Sequence, residues 1–79
     1  MTLVDQIRRI ERLDYLIRIR ATGRPAELAK KLGMSQSQTY HFLKVFKEKL
    51  DAPVYYSRKC QSYCYTEDGR FNFGFRSDN

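Results

Sequence analysis

No stretch of this chain approaches the run of about 18 or more apolar residues that a membrane-spanning helix needs. Its N-terminus also lacks the apolar core of a signal peptide, because Asp5, Arg8, Arg9 and Glu11 interrupt every candidate. These absences predict a cytoplasmic protein with no membrane partner. Cysteine and histidine are scarce: Cys60, Cys64 and His41 are the whole supply. A structural zinc site wants four ligands, and the cysteine spacing is not the two-residue gap of a zinc knuckle. On one extended strand the two cysteines would lie about 13 Å apart, too far for a disulfide. Both are therefore expected to be free thiols, with no metal bound. Glycine is sparse, at four residues, and no glycine-rich phosphate loop is present. His41 has no acid or nucleophile partner visible in the sequence, and the acidic residues are scattered among basic ones. An enzyme and a bound cofactor are thus not expected. Neither internal repeat, low-complexity segment nor linker divides the chain, so residues 1–79 read as a single domain.

What is there points to an anionic partner. The 79 residues are 42% hydrophobic and 30% charged, a balance that folds around a modest core. Fifteen Lys and Arg against nine Asp and Glu leave a net charge of +6. That favours nucleic acid first and a membrane surface second.

A long first helix is expected over about 3–21. Thr2 with Asp5 can cap its start. Leu3, Ile7, Ile10, Leu13 and Ile17 share one broad face, with Leu16 at its edge. Arg8, Arg9, Arg12, Arg18 and Arg20 are interleaved with Asp5, Glu11 and Asp14, which reads as a solvated, partly compensated face; Asp14 and Arg18 have true helix-neighbour spacing. Such a rod, roughly 30 Å long, exceeds what a three-helix domain needs. Leu3, Val4 and Ile7 would overhang the core as a candidate homodimer contact, unless the later phenylalanines cover them. Gly23 can end this helix, and Arg24 is held out of helical geometry by Pro25.

A second helix is expected over about 25–32. Pro25 suits its first turn, Leu28, Ala29 and Leu32 form its apolar stripe, and Gly33 can take the left-handed conformation that ends it. Ser35 and Gln38 have the spacing of a capping box, so a third helix should occupy about 36–50. Thr39, Phe42, Leu43, Phe46 and Leu50 give it one buried side. Its other side carries Ser37, Tyr40, His41 and Lys44, flanked by Gln36, Gln38 and Lys47. Side chains of that reach and polarity are what a helix needs to read base edges in the DNA major groove. An ordinary solvated face is the bland alternative. Asp51-Ala52-Pro53 stops the helix, since Pro53 cannot continue it.

From Val54 onward β-branched and aromatic residues dominate. VYYS and SYCYT flank Arg58-Lys59-Cys60-Gln61, which predicts a wing hairpin over about 54–66 with a basic tip. Val54 and Tyr56 should share a face, and Tyr63 and Tyr65 likewise. Arg58 and Lys59 suit phosphate or minor-groove contact; a solubilising turn is the plain alternative. Phe71, Phe73 and Phe75 alternate with small residues, which predicts an extended segment over about 70–76 laid on the core; base stacking is a second use for such rings.

The segments RLDYLI, TGRPAELAKKLGMS, TYHFLKVFKEKLDAPVYYSRK and SYCYTEDG resemble the winged helix-turn-helix domains of bacterial transcription regulators. The likeness is to the DeoR-like type and, more closely, to small stand-alone helix-turn-helix proteins. ELAKKLGMS is the most specific part. The family pattern usually has a larger aliphatic residue where Thr39 stands, and often arginines where Gln36 and His41 stand. The resemblance implies a mainly α fold of three helices plus a two- or three-stranded antiparallel sheet. It also implies double-stranded DNA binding through the third helix and wing, as a transcriptional regulator. Gln36, Ser37, Gln38, Tyr40 and His41 would face the bases, while Lys44, Lys47, Arg58, Lys59 and Arg24 would hold phosphates. A DeoR-like regulator has a C-terminal ligand-binding domain; none begins here, so no small-molecule effector is implied. Competing readings are a winged-helix protein-interaction module, an RNA-binding domain, and an accessory DNA-bending factor of a mobile element.

Overall fold

The Thr2 hydroxyl accepts the Asp5 N–H at 3.1 Å while the Asp5 carboxylate accepts the Thr2 N–H at 3.3 Å. This reciprocal cap opens the first helix. In the computed structural model, which describes residues 2–69, the chain runs α1 (Leu3–Arg18), α2 (Pro25–Leu32), α3 (Gln36–Glu48), β1 (Val54–Ser57) and β2 (Ser62–Tyr65). Three helices and a two-stranded antiparallel hairpin make a winged-helix-like layout. Among the described residues no helix is long and apolar enough to cross a membrane. The extended segment expected over 70–76, with Phe71, Phe73 and Phe75, lies outside the described residues.

The first helix stops three residues before its expected end, and Gly23 does not stop it. Arg20 adopts the left-handed conformation (φ 56°). Its N–H bonds the Ile17 carbonyl at 3.1 Å, and the Ala21 N–H bonds that of Leu16 at 2.9 Å. This is the Schellman pattern, carried by a residue with a Cβ. Gly23 (φ 73°) instead turns the chain into α2, where an added Cβ would lie 2.9 Å from the Glu27 side chain. At α2 the local signals act as written: Pro25 occupies its first turn and Gly33 (φ 66°) its left-handed end. Helix α3 ends at Glu48, two residues early, and Asp51 (φ 54°) turns the chain before Pro53 is reached.

The core sits where the three helices meet the hairpin. Leu13, Leu16 and Ile17 come from α1, Leu28 and Leu32 from α2, and Phe46 from α3; Ala52 and Val54 close it from the hairpin side. Phe46 is fully buried, and its ring stacks on Tyr65 at 6.5 Å between centroids. Leu16 is thus inside rather than at the edge, whereas Leu3 and Val4 remain 72% and 56% exposed. Phe42, Leu43 and Leu50 are half-buried against the core.

Two polar networks pin the hairpin to this helical base. Thr22 and Ser62 are both fully buried, their hydroxyls 3.0 Å apart. The Thr22 hydroxyl oxygen also accepts the Tyr63 N–H at 2.8 Å, which occupies the outer edge of β2. The second network corrects the reading of Asp14 as part of a solvated face. Asp14 is 2% exposed; it accepts the Tyr65 hydroxyl at 2.6 Å and the Arg18 guanidinium at 3.0 Å. Burial, and then the Asp14 carboxylate, push the Tyr65 phenol well above its ordinary range, so it stays a donor.

Candidate nucleic-acid interface

Helix α3 is held by its ends and by one side. At the start, the Ser35 hydroxyl accepts the Gln38 N–H at 3.1 Å, and the Gln38 side-chain oxygen accepts the Ser35 N–H at 3.0 Å. Thr39, 1% exposed, donates its hydroxyl to the Ser35 carbonyl at 2.8 Å. Its hydroxyl is therefore satisfied within the helix although the residue is buried. With Thr39 and Phe46 inside, Gln36, Ser37, Tyr40, His41, Lys44 and Lys47 are all exposed along the other side. Gln38 is exposed too, but its side-chain oxygen is engaged in the cap.

The hairpin register pairs Val54 with Tyr65, Tyr55 with Cys64, Tyr56 with Tyr63 and Ser57 with Ser62. Val54, Tyr56, Tyr63 and Tyr65 therefore share one face, because opposite residues in an antiparallel pair point the same way. Beyond Ser57 the chain turns through Arg58, Lys59, Cys60 and Gln61. The Cys60 N–H bonds the Ser57 hydroxyl at 3.2 Å, and Gln61 takes a left-handed φ of 50°. Arg58 and Lys59 stand exposed on this tip. Cys60 lies in the turn, so the separation reckoned for an extended strand does not apply. Both cysteines are free thiols, Cys60 exposed and Cys64 buried. Burial and then the neighbouring Cys60 raise the Cys64 thiol above its ordinary pKa, which disfavours the thiolate.

Between α3 and β1 lies a groove of about 390 Å³. Tyr40, Lys44 and Lys47 form one wall, Tyr55, Tyr56 and Tyr63 the other, and Glu48 also borders it. Tyr40 is 56% exposed, yet its phenol is close enough to Tyr63 to help raise the Tyr63 pKa, after burial and together with Tyr56. It thus both reaches solvent and borders the wing. The structure brings three expected site residues, Tyr40, Lys44 and Lys47, to this junction. Gln36, Ser37, His41, Arg58 and Lys59 stand outside it. Arg24 is exposed at the start of α2, where its N–H donates to the Glu27 carboxylate at 3.3 Å. Tyr56 and Tyr63 were not expected at a site. Their period-two placement in the hairpin marks their face, but nothing local shows that this face meets α3.

Comparison with protein-family models, with curated proteins and with solved structures finds no match.

Proposed function

We propose that this protein binds double-stranded DNA, with α3 in the major groove and the basic wing tip on the backbone or minor groove. The observation that carries the reading is the exposed face of α3. A 13-residue helix, capped and buried along one side, presents Gln36, Ser37, Tyr40, His41, Lys44 and Lys47 together on the other. The net charge of +6 and the exposed Arg58 and Lys59 support it. The resemblance to winged helix-turn-helix domains of bacterial regulators gives the reading its biological form, a transcriptional regulator. In this reading Gln36, Ser37, Tyr40 and His41 face bases, and Lys44, Lys47, Arg58 and Lys59 face phosphates. Arg24 is a peripheral phosphate contact.

The test is fluorescence anisotropy of the purified protein with a random duplex of about 25 base pairs at several salt concentrations. Affinity should fall steeply with salt. Changing Arg58 and Lys59 to Ala should flatten the logarithmic salt slope by about one for each phosphate that a side chain no longer neutralises. Absence of binding at low salt would overturn the reading.

A further inference from the structure

The groove between α3 and β1 is lined by two residues, Tyr56 and Tyr63, to which the major-groove reading gives no role. Tyr56 and Tyr63 meet edge to face, with centroids 5.0 Å apart and planes at 69°. Each residue is half-buried, so the pair makes a poor stacking platform, and both residues line the groove. Tyr40 adds a third phenol from the opposite wall, and Lys44 and Lys47 add two ammonium groups. The Tyr63 phenol is raised above its ordinary pKa by burial and then by the Tyr40 and Tyr56 phenols; like any tyrosine it is protonated at neutral pH.

The hydrogen-bond pattern of the hairpin also fixes the direction of the Tyr56 N–H. The Thr66 N–H bonds the Pro53 carbonyl at 2.8 Å, and the Tyr63 N–H leaves the hairpin to reach Thr22. Hydrogen-bonded and non-bonded pairs alternate along an antiparallel ladder, so the Tyr56 N–H points away from β2, along the edge of β1 that has no strand partner among the described residues. With Glu48 beside the lysines, the groove's charged side chains sum to +1. That balance suits a singly charged phosphodiester better than a doubly charged free phosphate or phosphomonoester.

We propose that this groove holds one backbone phosphodiester of the bound duplex, gripped by the Tyr56 and Tyr63 hydroxyls and by Lys44 and Lys47. The proposal rests on the DNA-binding reading and adds to it. Tyr56 and Tyr63 become phosphate-binding residues, and the DNA strand passing between α3 and the wing ties the two together.

The experiment measures duplex anisotropy for the parent, for Tyr56→Phe, and for Tyr56→Phe with Tyr63→Phe. Phenylalanine keeps the edge-to-face packing and removes only the hydroxyl. The double variant should bind about tenfold more weakly, with an unchanged salt slope because no charge has been removed. Lys44→Gln, by contrast, should lower the slope by about one. A melting curve on each protein checks the fold; if the double variant melts early, Tyr56→Phe alone decides. Parent-like affinity in the deciding variant would overturn the proposal while leaving DNA binding intact. Failure of the parent itself to bind would overturn both. Added inorganic phosphate, at constant ionic strength, should not compete; competition would overturn the assignment to a diester.

Discussion

Asp14 and Tyr65 show how one side chain can tie distant parts of a small fold together. The carboxylate is 2% exposed, and the phenol that reaches it at 2.6 Å comes from 51 residues later in the chain. A buried carboxylate is tolerable only when its oxygens are bonded, and here one oxygen takes Tyr65 and the other Arg18. Tyr65→Phe should therefore destabilise the protein by about 1.5–3 kcal/mol, the range for a bond to a charged group, as read from denaturant melts. The pH dependence has a definite sign. The folded phenol titrates above the ordinary value of 10.0, so its contribution is complete below that pH. It is lost as pH rises beyond it, because the unfolded chain gives up the proton first. Stability should fall above about pH 10, and Tyr65→Phe should flatten that fall. Arg20, a residue with a Cβ, holds the left-handed position that glycine would occupy at no steric cost.

At the scale of elements, α3 depends on its start. The Ser35–Gln38 box satisfies two N–H groups that the helix itself leaves open. Ser35→Ala should cost about 1 kcal/mol. Gln38→Ala removes the other half of the box and should likewise lower the melting temperature. Its effect on duplex affinity should be smaller than that of Gln36→Ala, whose side chain has no part in the cap. Melting and anisotropy on the same three variants check this. The hairpin is fixed differently. Two strands alone are marginal in water, and this pair is steadied by Thr22 and Ser62 on one side and by Phe46 against Tyr65 on the other. The early stop of α1 at Arg18, with the left-handed turn at Arg20, brings Thr22 to β2.

At the scale of the whole molecule, the first turns of α1 stand apart from the core. The buried residues of that helix are Leu13, Asp14, Leu16 and Ile17, all in its second half, while Leu3 and Val4 are exposed. A few apolar side chains fall short of the roughly 800 Å² per partner of a stable interface. In the proposed function, two copies should associate weakly in solution and firmly only when DNA holds them side by side. Sedimentation should show monomer at micromolar concentration. A duplex with two sites one helical turn apart, about 10 base pairs, should bind two copies cooperatively. Leu3→Ser with Val4→Ser should remove the cooperativity and leave single-copy affinity unchanged.

Features that depend on near neighbours can be read from the chain directly. Pro25, Gly33 and the Ser35–Gln38 pair act within a turn or two, so α2, the turn and the start of α3 were legible, as were the exposed face of α3 and the basic hairpin tip. Tertiary structure decided the rest. Asp14 and Arg18 look the same from spacing whether they lie on a surface or beneath a phenol. The left-handed residue ending α1 could have been Gly23 by preference, yet Arg20 takes that place, where the chain must turn for Thr22 to meet Ser62. Tyr40, Tyr56 and Tyr63 border one groove only because α3 and the hairpin pack on one core. Local signals act through a few backbone hydrogen bonds and survive out of context. Convergence across 40 or 50 residues depends on how the core packs, and no short window of sequence contains that.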